Sequence, residues 1–204
     1  MGNKRLSNTI KKHISFENEI EETIKIFRNI HKNSNLTIPE KGIVAEGILL
    51  KSCALWEKFL EKEVVILVSF DTTKIINEVK LPLNTKLNLR LIKAILFTNC
   101  FRDFHDIERS KNFFNTFIVN KYNPFIKIPK DLLNQADFTY KIRNYLAHNS
   151  DFAKNLLMNH LKKHFNYANF IEPSKFLIQK NGKNLIHLIH NFSLLSASMR
   201  KNLK

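Results

Sequence analysis

Arg143, Asn144 and His148 fall within one ten-residue stretch, KIRNYLAHNS, near the end of a segment with helical periodicity. Histidine is the side chain whose ordinary pKa suits proton transfer near neutral pH. Arginine offers a permanent, planar, multi-donor cation for phosphate oxygens as charge builds on them. Together they are equipped for chemistry at phosphorus. Five positions along an uninterrupted helix, however, are about 140° apart around its axis. For the two groups to act together the helix must end or distort near Ala147. A plainer assignment fits the same residues: a surface arginine, and a histidine stabilised by the C-terminal end of the helix dipole.

Other residues with chemical potential are less well placed. His160 and His164 are one helical turn apart, a spacing that can hold a metal, but Lys162 and Lys163 lie between them with no carboxylate nearby, which favours a solvated basic face. His187 and His190 have no acidic or cysteine partners in their vicinity of the sequence and read as helix-surface residues. Arg102, Asp103, His105, Asp106 and Glu108 form a charged cluster that suits intrahelical ion pairing better than cation binding. Glu57 follows Trp56 on a long apolar helix, where it faces either a cleft or the edge of the core. Cys53 and Cys100 are isolated, without zinc or redox spacing. The spacing therefore calls for no metal and no cofactor.

The elements that must carry these residues are helical. Ile20, Ile24, Phe27 and Ile30 recur at helical spacing within a helix from Phe16 to about Lys32, whose opening turns hold Glu17, Glu19, Glu21 and Glu22. A long core helix runs from about Ile43 to Phe70, although its last stretch, VVILVSF, has the β-branched composition of a strand. LPLNTK breaks the chain, and a helix resumes from Leu87 to about His105. Residues 109–129, interrupted by Pro124 and Pro129, read as a short helix plus loop. Asp131 caps the helix that holds Arg143 and His148, and Asn149, Ser150 and Asp151 mark its end and the start of a helix over about 152–165. Asn181 and Gly182 lie between two short apolar runs, a β-hairpin signal. A last helix presents Leu188, Phe192, Leu195 and Met199 on one stripe. The expectation is an all-α bundle of about six helices with a small β-hairpin before the C-terminal helix. Residues 1–40 form a basic N-terminal segment and first helix, and residues 41–204 the main helical domain.

The 204 residues include only 4 Gly and 5 Pro, too few for a turn-dense β architecture, while 44% hydrophobic content exceeds that of a disordered basic tail. No Gly-rich phosphate loop, internal repeat, secretory h-region or helix-turn-helix pattern is visible. The longest apolar stretch, from Val64 to Phe70, is far short of the ~18 residues of a membrane span. These features point to a soluble, cytoplasmic protein with no membrane partner. The formal charge is +15, and residues 64–204 carry +13 of it while residues 14–63 carry −2. An AT-rich genome would raise Lys, Asn, Ile and Phe throughout. The concentration of charge in one half fits a basic face for a polyanion better.

The R-N-x-x-x-H pattern over 143–148, at the end of a helix in an all-helical domain of this size, resembles the signature of the HEPN superfamily (higher eukaryotes and prokaryotes nucleotide-binding). The upstream helix SCALWEKFLEKEV is similar to the long N-terminal helix of its stand-alone bacterial nucleases. The resemblance implies a metal-independent endoribonuclease that cleaves RNA by attack of its own 2′-hydroxyl. In that role His148 is general acid/base, Arg143 the phosphate clamp and Asn144 an orienting residue. It also implies a homodimer with a composite site, a bacterial defence or toxin–antitoxin setting, and an antitoxin or defence-system partner protein. Some members paired with nucleotidyltransferases carry a modified tyrosine two residues after the histidine. Ser150 stands there in this chain, so that mode of control is not implied. The alternative is a non-catalytic module of the same fold that holds RNA, a nucleotide or a protein on its basic face.

Overall fold

The computed structural model describes residues 2–32, 35–98, 104 and 106–203, with side chains from Leu6 onward. Cys100, Arg102, Asp103 and His105 lie outside the described residues. Among those described there are eight α-helices, two short 3₁₀ turns and no strand. The helices are α1 (Gly2–His31), α2 (Ile38–Val68), α3 (Thr73–Glu78), α4 (Leu89–Thr98), α5 (Ile107–Phe117), α6 (Lys130–His148), α7 (Asp151–Phe165) and α8 (Pro173–Asn202). None is long and apolar enough to cross a membrane.

The core is a sandwich of α1, α2 and α8, with α6 packed on α2 and α8, and α7 packed on α6. Most of the predicted stripe of the first helix is its buried face: Ile20, Ile24 and Phe27 are enclosed together with Phe16, whereas Ile30, near the helix end, is only partly buried. The helix begins well before Phe16, however. The basic segment after Gly2 continues the same helix, and Thr9 and His13 are buried within it.

Helix α2 starts with a capping box. The Thr37 hydroxyl accepts from the Glu40 N–H, and the Glu40 carboxylate accepts from the Thr37 N–H. The β-branched run at its far end stays helical, with Val64, Val65, Leu67 and Val68 all buried. Burial on several sides outweighs the weak strand propensity of valine. Trp56 anchors the centre of the fold. Its ring stacks on Phe192 of α8 at 5.4 Å and packs against Phe16 of α1 at 5.6 Å.

The expected β-hairpin is absent, and α8 occupies its place. Asn181 and Gly182 do take left-handed conformations, at φ 58° and 75°, as their turn signal requires, and Lys180 joins them at φ 53°. The turn links two helical stretches instead of two strands. Its flanks are buried against α1, α2 and α6, so no strand pairing is available to them. Asn184 replaces part of the lost helical bonding, donating to the Phe176 carbonyl at 2.9 Å. Gly182 is also required by space, because a Cβ there would lie 2.6 Å from Cε1 of the buried Phe27 ring.

Candidate functional site

Helix α6 continues one residue past the expected break. It ends at His148, where Asn149 turns left-handed at φ 43° and its N–H bonds the Tyr145 carbonyl at 2.8 Å. Ser150 is extended and caps α7, its hydroxyl accepting from the Ala153 N–H. His148 therefore stands exposed on a sharp helix corner set by two consecutive caps.

Because α6 is continuous through His148, the 140° separation takes effect. Arg143 turns towards α2, with its Nε 3.8 Å from Oε1 of Glu57 and both side chains mostly buried. Asn144 and His148, one turn apart, instead line a common cleft of about 400 Å³ at the α6–α7 corner. Asn144 connects the two faces: its Oδ1 accepts from Nη1 of Arg143 at 3.2 Å. Arg143 and Asn144 are thus joined, and Asn144 shares the cleft with His148. Arg143 does not itself line that cleft.

The setting of Arg143 is electrostatically organised. Burial pushes the Tyr140 hydroxyl and the Cys53 thiol up from their ordinary values; Glu57 adds to both shifts and Arg143 opposes them. Glu57 is thus the carboxylate that holds Arg143 at the edge of the α2–α6 contact. Cys53 is fully buried and its thiol stays protonated, which makes it an inert core residue.

Three further charged or aromatic cleft residues were not singled out from the sequence. Lys141 lies on the same face of α6, three positions before Asn144 and seven before His148, a spacing that would have revealed it. Its ammonium pairs with Asp137 on the same helix. Arg109 comes from α5, where no local pattern links it to His148. Asp106 caps that helix by accepting from the Arg109 N–H at 2.9 Å. Phe152, on the first turn of α7, is 74% exposed beside the cleft. The cleft therefore joins a titratable imidazole, an amide, two long cations, one carboxylate and an apolar wall.

The remaining candidates resolve into structural roles. His160 stacks flat on Phe138 at 4.4 Å and against His164 at 4.3 Å. Burial, followed by the charges of His164 and Lys141, lowers its pKa to about 4. Glu108 pairs with Lys111 one turn on. His190 does have an acidic partner, since its Nδ1 is 2.9 Å from Oε1 of Glu21 on α1, a contact only the packing of α8 on α1 could supply. No group of three metal-ligating side chains occurs among the described residues.

A buried polar relay also escaped the sequence. His13 bridges Oε1 of Glu63 at 3.0 Å and Oγ of Ser196 at 2.9 Å, joining α1, α2 and α8, and Ser196 donates to Glu17. Comparison with protein-family models, curated proteins and solved structures finds no match to this chain.

Proposed function

We propose that the chain is an endoribonuclease that works without a metal, cleaving RNA through attack of a 2′-hydroxyl on the adjacent phosphate. The observation that carries the reading is the α6–α7 corner, which sets His148 and Asn144 on one cleft with Arg109 and Lys141. In this reaction the 2′-oxygen loses its proton to a base and forms a bond to phosphorus. The bond from phosphorus to the 5′-oxygen breaks, and the leaving oxygen takes up a proton. The products are a 2′,3′-cyclic phosphate and a free 5′-hydroxyl. His148, exposed at a helix end, serves as the proton-transfer group. Arg109 and Lys141 meet the phosphates along the strand, and Asn144 orients the reacting group through its bond to Arg143.

Arg143, the phosphate clamp that the resemblance implies, is directed to Glu57 outside the cleft and acts as a positioning residue through its bond to Asn144. The reading includes a homodimer in which two such corners share a cleft, with the exposed Phe152 and Leu156 beside His148 as its apolar surface. A defence or toxin–antitoxin role with a partner protein follows from the same reading. The contact between Arg143 and Glu57 favours a second one, a non-catalytic RNA-holding module, because a cation paired to a carboxylate is a weaker clamp.

The two separate in one experiment. Labelled RNA is incubated in excess EDTA with the purified protein and with its Arg143→Ala and His148→Ala variants. Cleavage by the unmodified protein alone supports the nuclease. RNA binding without cleavage in all three supports the module, and cleavage that survives both substitutions rules out this site.

A further inference from the structure

A second pocket, of about 350 Å³, opens where the end of α1, the start of α2 and the left-handed turn of α8 meet, remote in sequence from the α6–α7 corner. Its floor is Phe27 and Ile186, and its walls carry Arg28, His31, Lys32 and Lys41. No acid lines it. By contrast Asp106 lines the cleft beside His148, and Glu19 and Glu63 line the groove between α1 and α2. The acid next in sequence, Glu40, is turned away, its Oε2 held at 2.7 Å by the N–H and the hydroxyl of Thr37.

The end of α1 offsets only a small part of this charge. A helix C-terminus amounts to roughly half a negative unit, against three permanent cations. One further observation points to a ligand. Nδ1 of His31 is buried without a hydrogen-bond partner among the described residues, although buried polar atoms are normally satisfied.

We propose that this pocket binds a phosphate group, with Arg28, Lys32 and Lys41 around its oxygens, the ring nitrogen of His31 as a further partner, and the ester side of the ligand against Phe27 and Ile186. The ligand is either a free phosphomonoester or a phosphodiester of an RNA strand, and both offer the same oxygens. Burial, and then the charge of Lys41, lower the pKa of the His31 imidazole from its ordinary value. A bound anion reverses that influence.

The test is NMR of the His31 ring in the full chain at fixed ionic strength, titrated separately with inorganic phosphate, adenosine 5′-monophosphate, adenosine, and a dinucleotide without terminal phosphates. Saturable shifts and a raised His31 pKa with phosphate and the monophosphate identify a free phosphomonoester. A response to the dinucleotide alone identifies a strand phosphate. Arg28→Gln and Lys41→Gln, both at the pocket rim, each weaken the response about tenfold, the loss of one charge-assisted contact, whereas Lys162→Gln on α7 leaves it unchanged. An equal response to adenosine, no response to any phosphate, or affinity unaltered by Arg28→Gln and Lys41→Gln overturns the assignment.

Discussion

The same substitution, glycine to alanine, is expected to act in opposite directions at two positions in this fold. At Gly182 the new Cβ falls 2.6 Å from Cε1 and 2.9 Å from Cζ of Phe27, a ring that is 1% exposed. The backbone there also has φ +75°, where a side chain meets the following carbonyl. The conformational strain is about 1–2 kcal/mol, and overpacking in a closed core adds about 1–3 kcal/mol. Together these give a loss of roughly 2–5 kcal/mol. For a chain of this length each kcal/mol moves Tm by about 2–4 °C, so Gly182→Ala melts roughly 4–20 °C lower. Gly47 lies exposed inside α2 with no neighbouring atom within 4 Å of its would-be Cβ. Gly47→Ala instead stabilises by about 0.5–1 kcal/mol, because alanine loses less backbone entropy on entering the helix.

Thermal melts followed by circular dichroism at 222 nm, with urea titrations alongside, measure both effects. A double-mutant cycle with Phe27→Leu separates the two sources at Gly182. The smaller side chain removes the ring contact and leaves the strain in φ, so Gly182→Ala costs less in that background. A Tm within about 2 °C of the unmodified protein for Gly182→Ala would refute the left-handed turn described for α8, and a fall in Tm for Gly47→Ala would refute the open helical setting described for Gly47 in α2.

The buried relay gives a second prediction. Glu63→Leu or His13→Leu alone lowers stability in urea by about 3–5 kcal/mol, because the partner is left without its counterpart in the core, and the His13→Leu/Glu63→Leu pair loses less than the two single changes added together. Ser150→Ala removes the cap of α7 and lowers stability by about 1 kcal/mol, measured in the same way. The pKa of His160, lowered from the ordinary 6.5 to about 4, sets a pH dependence. Between those values the unfolded chain binds the proton and the folded chain does not. This contribution is therefore complete above pH 6.5 and lost as pH falls towards 4. The ring is only partly buried, which limits the change to the order of 1 kcal/mol. His160→Phe flattens that part of a stability–pH curve measured by urea titration, and an unchanged slope would overturn the stacked, neutral assignment.

Local chemistry was legible where it is decided locally. The spacing of Ile20, Ile24, Phe27 and Ile30 identified the buried face of α1 at all but its last position, since a helix repeats every 3.6 residues whatever it packs against. The triplet Asn149, Ser150 and Asp151 located the corner beside His148 to within a residue, because capping is a matter of a few adjacent backbone groups. The basic segment before Phe16 hid its helix, as it has too few apolar positions to show a period. Its burial at Thr9 and His13 depends on α2 and α8.

By itself, then, the sequence determined the helical class, the caps around His148 and the left-handed turn at Asn181 and Gly182, all properties of neighbours along the chain. Only the tertiary structure decided that this turn joins helices and not strands, since its flanks settle among α1, α2 and α6 rather than on each other. It alone paired Arg143 with Glu57, brought Arg109 to the cleft of His148, and closed the relay of Glu63, His13 and Ser196. Each of these joins groups far apart in the chain, and their distances are set by how whole helices pack rather than by any local spacing.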